Sequence, residues 1–243
     1  MDTYEAVLEQ RAGRLTFRNA RRRQESILAE VEKRALIWMA NRTPRQINSD
    51  HLTLLGLASM FLAGVSYALC PYTRWGLLFA SIFIALNWIG DSMDGTLARV
   101  RDQQRPRYGF YVDHIIDSFG ACFLLGGLAL SGYMSVSIAV GLLIAFLMLS
   151  IETYLATYTI GDFRLSHFKF SPTELRLLLI AGNVALIWRP WVHFAGGHFR
   201  LFDVGGAIGI VGMLVILLVA TIRNTRRLYR EETLAKDDWG GRL

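Results

Sequence analysis

Six mostly apolar segments, each about twenty residues long, constrain this chain more than any other feature. They fall near residues 52–70, 75–92, 109–131, 134–156, 173–191 and 201–222. About twenty residues of α-helix cross a ~30 Å hydrocarbon layer. A helix also satisfies its own backbone hydrogen bonds, which lipid cannot do. Of the 243 residues, 53% are hydrophobic, more than a soluble domain with a polar surface needs. The fold class expected is therefore an all-α integral membrane protein with six transmembrane helices. Gly and Pro punctuate several joins, as at Pro71 and Pro172.

The positive charges predict the orientation. With the N-terminus in the cytoplasm, 23 of the 26 Lys and Arg residues fall on the cytoplasmic side, and only Arg74, Arg189 and Arg200 on the other. Six spans then put both termini in the cytoplasm. The net charge of +6 reads as basic loops at an anionic lipid surface. Nucleic-acid binding is disfavoured, because the basic N-terminus carries no recognisable nucleic-acid motif and adjoins membrane spans.

Before the first span, residues 25–41 place Ile27, Leu28, Val31, Ala35 and Trp38 near helical spacing among basic residues. That pattern predicts an amphipathic helix lying in the cytoplasmic interface. Arg21, Arg22 and Arg23 stand ready to meet anionic head groups or to form a solvated face. The expected organisation is an N-terminal interfacial segment (1–45), a six-helix membrane domain (46–223) and a cytoplasmic tail (224–243). Cys70 and Cys122 lack metal-ligand spacing and are expected to be buried free thiols. Gly205 and Gly209 have the spacing that lets helices approach closely, within one chain or between two.

The chemistry concentrates between the second and third spans. The sequence reads Asp91-Ser-Met-Asp94-Gly95-Thr-Leu-Ala98-Arg99, then Gly109-Phe-Tyr-Val-Asp113-His114-Ile-Ile-Asp117. On helices, Asp91 and Asp94 share one face, and Asp113 and Asp117 share another. Each ionisable group in a span costs on the order of 2.5–3.5 kcal/mol on insertion scales, and neighbouring like charges add to this. Four converging carboxylates need more compensation than Arg99 alone supplies. Divalent cations provide it, and an all-oxygen donor set favours hard ions over zinc. Two such ions would also hold a diphosphate. Gly95 and Gly109 leave room for a ligand near the backbone, and Arg99 is placed to meet phosphate oxygens.

The pattern D-x-x-D-G-x-x-A-R followed by G-x-x-x-D-x-x-x-D resembles the CDP-alcohol phosphotransferase family. Asp91, Asp94, Gly95, Ala98, Arg99, Gly109, Asp113 and Asp117 fill every fixed position. The resemblance implies that Asp91, Asp94, Asp113 and Asp117 bind a centre of two Mg²⁺ or Mn²⁺ ions. It also implies that Asp91, Asp94, Gly95, Ala98, Arg99, Gly109 and Asp113 receive the CDP donor. A homodimer is implied as well; the predicted orientation puts the site on the cytoplasmic side of the cell membrane. The element before the first span, Ile47-Asn48-Ser49-Asp50-His51-Leu52-Thr53, departs from the family's I-T-P-N-x-L-T at Ser49 and Asp50.

His114 directly after Asp113, Glu152-Thr153-Tyr154, and Pro172-Thr173-Glu174 resemble the choline/ethanolamine phosphotransferase branch, whose acceptor is a lipid alcohol. The resemblance implies His114 as the general base, with Glu174 orienting it; Asp117 is the competing base. In the other branch CDP-diacylglycerol reacts with a small polar alcohol such as inositol, serine or glycerol phosphate. If the acceptor carries a phosphate, two or three of Arg164, Lys169 and Arg176 are expected to bind it; otherwise they are charges that set topology. A cation transporter or channel is the reading of a different class, since acids within spans also mark ion paths.

Overall fold

The computed structural model describes residues 29–160, 172–194 and 197–232. Helix α1 (Ala29–Arg42) precedes α2 (Ser49–Ala68), α3 (Trp75–Val100), α4 (Pro106–Leu130) and α5 (Val136–Ile160). Then come α6 (Pro172–Trp188), a two-stranded hairpin of β1 (Trp191–Phe194) and β2 (Gly197–Arg200), and α7 (Leu201–Glu231). Five of these helices, α2, α3, α4, α5 and α7, are long and apolar enough to cross a membrane. The predicted fifth span is α6, at 17 residues about 26 Å long. It stops before Arg189-Pro190 because proline cannot continue the helical hydrogen bonding. An antiparallel hairpin pairing Trp191 with Arg200 and His193 with His198 follows, an element the sequence reading had not foreseen.

Helix α2 is the spine of the bundle, with its most extensive packing against α3 and α4. Glycines let the backbones close up. A Cβ on Gly90 would lie 2.7 Å from the Leu52 carbonyl oxygen and from the Gly56 nitrogen. A Cβ on Gly127 would overlap the backbone of Gly64. Around and beyond the Gly64–Gly127 crossing, Ala63, Tyr67, Leu77, Ile84, Leu124 and Leu128 form the main core.

Two buried polar side chains and a half-buried serine join α2, α3 and α6. The Tyr67 hydroxyl donates to Asn183 Oδ1 at 2.8 Å, and Asn183 Nδ2 donates to Ser81 Oγ at 3.0 Å. Tyr67 is 0% and Asn183 1% exposed. Away from water such groups persist only when paired, so this chain of bonds sets how α6 docks.

Helix α1 covers one end of the bundle. Leu36 and Ala40 pack with Leu52, Met93 and Leu97, whereas Ala35 and Trp38 of the predicted apolar stripe are exposed. Arg42 lies over the Trp38 ring, 4.1 Å from its centroid. Ile27, Leu28 and residues 21–23 lie outside the described residues. Both cysteines are free and Cys70 is buried, as expected, but Cys122 is exposed. It sits on α4 away from the face packed on α2. Gly206 and Gly209 pack against Ile138 and Leu142 of α5, while Gly205 meets no atom within 4 Å.

Candidate active site

The turn at 101–105 makes α3 and α4 run in opposite directions. Asp102 takes the left-handed conformation (φ 53°), which Asp adopts more readily than most residues. At ~1.5 Å rise per residue, Asp91 lies about 14 Å before the end of α3. Asp113 and Asp117 lie about 10 and 16 Å after the start of α4. The three acids thus reach one level, and their carboxylate oxygens lie within 4.8 Å of one another.

Asp94 stands outside this trio. One of its oxygens accepts from Thr53 Oγ1 at 2.6 Å and the other from the Gly95 amide. The expected convergence of four carboxylates is therefore a trio with Asp94 beside it, held by α2. Its position follows from the three-residue spacing, which turns Asp94 about 60° from Asp91 around α3.

The divergent element before the first span touches this region. Asn48 caps α2 by accepting from the His51 amide at 3.0 Å, Ser49 Oγ donates to the Asp94 carbonyl oxygen at 2.8 Å, and Thr53 supplies the bond above. Asp50 receives a two-pronged contact from Arg105 at 2.5 and 2.6 Å. Arg101 donates to the carbonyls of Thr43, Pro44 and Ile47, fixing the α1–α2 connection to the end of α3.

Arg176 of α6 reaches into the trio and donates to Asp91 Oδ2 at 2.6 Å. A planar guanidinium suits a carboxylate or a phosphate equally well. Arg99 Nη2 donates to Thr96 Oγ1 at 3.0 Å. No neighbour forces glycine at positions 95 and 109. A Cβ on Gly95 would come no closer than 3.6 Å to Arg99, and one on Gly109 would meet nothing within 4 Å. Ala98 is partly buried one residue before Arg99.

His114 sits between two aromatic rings. Its centroid lies 4.1 Å from that of Phe110 and 4.7 Å from that of Tyr154 on α5. Nδ1 is 2.6 Å from the Phe110 carbonyl oxygen. A carbonyl only accepts, so Nδ1 carries the proton and Nε2 is the basic atom of the neutral ring. Asp113 Oδ2 is 4.0 Å from Nδ1. Glu174 lies in the first turn of α6, half a turn before Arg176. Arg164 and Lys169 lie outside the described residues.

Sequence reasoning missed Glu32 altogether. Its Oε1 accepts from Trp88 Nε1 at 3.1 Å and from Thr173 Oγ1 at 3.0 Å, tying α1 to the helices that carry Asp91 and Glu174. Nothing in local spacing signals such a contact, because its partners are 56 and 141 residues away.

An all-oxygen trio on apolar helices fits a hard divalent cation, and three carboxylates around one point have strong reason to bind one. These features define a membrane protein with an acidic centre at one end of a helix bundle. The CDP-alcohol phosphatidyltransferase family model matches residues 47–224, and the chain belongs to that family. It is a family of transferases that move a substituted phosphate between a CDP-alcohol and an acceptor alcohol in membranes, generally with a divalent metal. No curated protein matches the chain.

Proposed function

We propose that this protein transfers a substituted phosphate from a CDP-alcohol to an acceptor hydroxyl, releasing CMP, at the centre formed by Asp91, Asp94, Asp113 and Asp117. The observation that carries the reading is the meeting of three carboxylates from two helices with a guanidinium from a third. Bound Mg²⁺ or Mn²⁺, two ions in our reading, would neutralise the acids and hold the donor's diphosphate. Arg99 and Arg176 are guanidinium donors suited to phosphate oxygens, and the open space at Gly95 and Gly109 suits a nucleotide lying against the backbone.

His114 takes the proton of the acceptor hydroxyl at Nε2. The acceptor oxygen then attacks the β-phosphorus, and the bond to CMP breaks with its electron pair leaving on CMP. The Phe110 carbonyl fixes the tautomer this requires, and Tyr154 holds the ring. Glu174 orients His114 or completes a relay with it, and Asp117 is the alternative base. A positioned base contributes typically 10²–10⁴-fold in rate; positioning and charge stabilisation carry the rest.

The substrate pair proposed is CDP-choline or CDP-ethanolamine with diacylglycerol, on the strength of His114, Tyr154 and Glu174. The protein would act as a homodimer of six-span subunits in the cell membrane, with α6 as the short fifth span, α1 in the interface, and both termini and the site in the cytoplasm. The test is purified protein with Mg²⁺, membrane lipid and a panel of CDP-alcohols, with the product identified by mass. A product from CDP-choline or CDP-ethanolamine supports the pairing. A product only from CDP-diacylglycerol and a polar alcohol assigns the other branch. Metal-dependent cation flux without any nucleotide product would overturn the enzyme reading.

A further inference from the structure

Helix α7 is longer than a bilayer needs. Its 31 residues extend about 46 Å, against a hydrocarbon layer of ~30 Å. The excess is basic. Arg223, Arg226, Arg227 and Arg230 follow Ile222 and line, with Val219, Ile222 and Glu231, a groove on the helix surface. Val219, Arg223, Arg226 and Arg230 recur at spacings of three and four, so they form one strip along the helix. Val219 and Ile222 are half exposed below it. Arg227 is engaged with Glu231 at 2.7 Å.

This end of α7 is also the end that carries the acidic centre. Asn224 Nδ2 donates to Glu152 Oε1 on α5 at 2.7 Å, and Glu152 lies two residues before Tyr154, whose ring packs on His114. The strip therefore stands at the same end of the bundle as the acidic centre, on the side of α7 turned away from that bond.

We propose that this strip binds the headgroup phosphate of an anionic phospholipid, whose glycerol and first methylenes rest on Val219 and Ile222. Guanidinium groups match phosphate oxygens in charge and in fork geometry. Exposed aliphatic side chains directly beneath them suit an amphiphile, whereas a soluble polyanion would make no use of them. Charges that only set topology need the right number on one side, not one strip above an apolar ledge. The inference does not depend on the reaction proposed above, and its test reads binding rather than turnover.

Full-length protein in detergent is titrated with phosphatidylglycerol or phosphatidylcholine, and bound lipid is counted by native mass spectrometry. The wild type is expected to retain phosphatidylglycerol preferentially. A basic side chain at an anionic surface contributes about a factor of five in affinity, so Arg226→Gln with Arg230→Gln is expected to weaken retention about 25-fold. Arg226→Lys, which keeps the charge and loses the fork, should fall between. The control pair Lys33→Gln with Arg34→Gln removes equal charge from exposed positions of α1 at the same end and should leave retention unchanged. Undiminished retention in the Arg226/Arg230 variant, or equal loss in the control, overturns the proposal. Competition by free glycerol phosphate as effective as that by the lipid would overturn it too.

Discussion

The Arg176 guanidinium lies 2.6 Å from the Asp91 carboxylate, so the first turns of α6 supply a fixed positive charge to the acidic centre built by α3 and α4. Both side chains are mostly shielded, at 15% and 27% exposure. Breaking such a pair leaves a shielded charge without its partner. Arg176→Gln is expected to lower kcat/KM for CMP release about 10–100-fold and to shift the Mg²⁺ concentration for half-activation, as loss of a residue supporting metal ligands does. Arg176→Lys should recover only part. Full activity in the glutamine variant would show that the pair plays no part in the chemistry.

The acids themselves should be less forgiving. Asp94→Asn or Asp113→Asn is expected to abolish CMP release in detergent with divalent metal. Thr53→Val removes only the hydroxyl that holds Asp94 and should cost about tenfold, in line with a hydrogen bond to a charged group. An Asp113→Asn protein of undiminished activity would sink the proposed centre.

Glycines 90 and 109 should separate packing from ligand approach. Gly90→Ala pushes a methyl into the backbone of α2 and is expected to destabilise by about 1–3 kcal/mol, as overpacking does, measured as a fall in Tm. Gly109→Ala meets open space and should leave Tm unchanged. Loss of activity in that variant with normal Tm would place a substrate against Gly109; normal activity would remove it from the donor site.

The polar chain inside the bundle has its own test. Asn183→Leu leaves the Tyr67 hydroxyl buried without its acceptor and is expected to cost about 1–2 kcal/mol, near the upper values for hydrogen bonds between membrane helices. Tyr67→Phe in the same background should cost nothing further, because the two residues share one bond. Additive losses would count against the coupling.

His114→Asn should lower turnover by about 10²–10⁴-fold with little effect on CDP-alcohol binding. If Asp117 is the base instead, the His114 variant keeps most of its rate and Asp117→Asn loses it.

Much of this was legible from the sequence because its signals are local. A twenty-residue apolar run reports its own helix, and spacings of three and four put Asp91 with Asp94 and Asp113 with Asp117 on shared faces whatever surrounds them. Eight residues at set intervals then sufficed to indicate the family. The tertiary structure decided what depends on how one helix slides and rotates against another. It brought Asp91 to the level of Asp113 and Asp117, left Asp94 to Thr53, and turned Arg176 from a loop-side charge into a partner of Asp91. It also ended α6 at a hairpin and gave Glu32 its place across α3 and α6. The side-chain hydrogen bonds among these contacts join residues 41 to 141 positions apart. Their register is set by backbone approach at glycines such as Gly56 and Gly90, and by buried polar bonds such as Tyr67 to Asn183. No periodicity within a single helix carries that information.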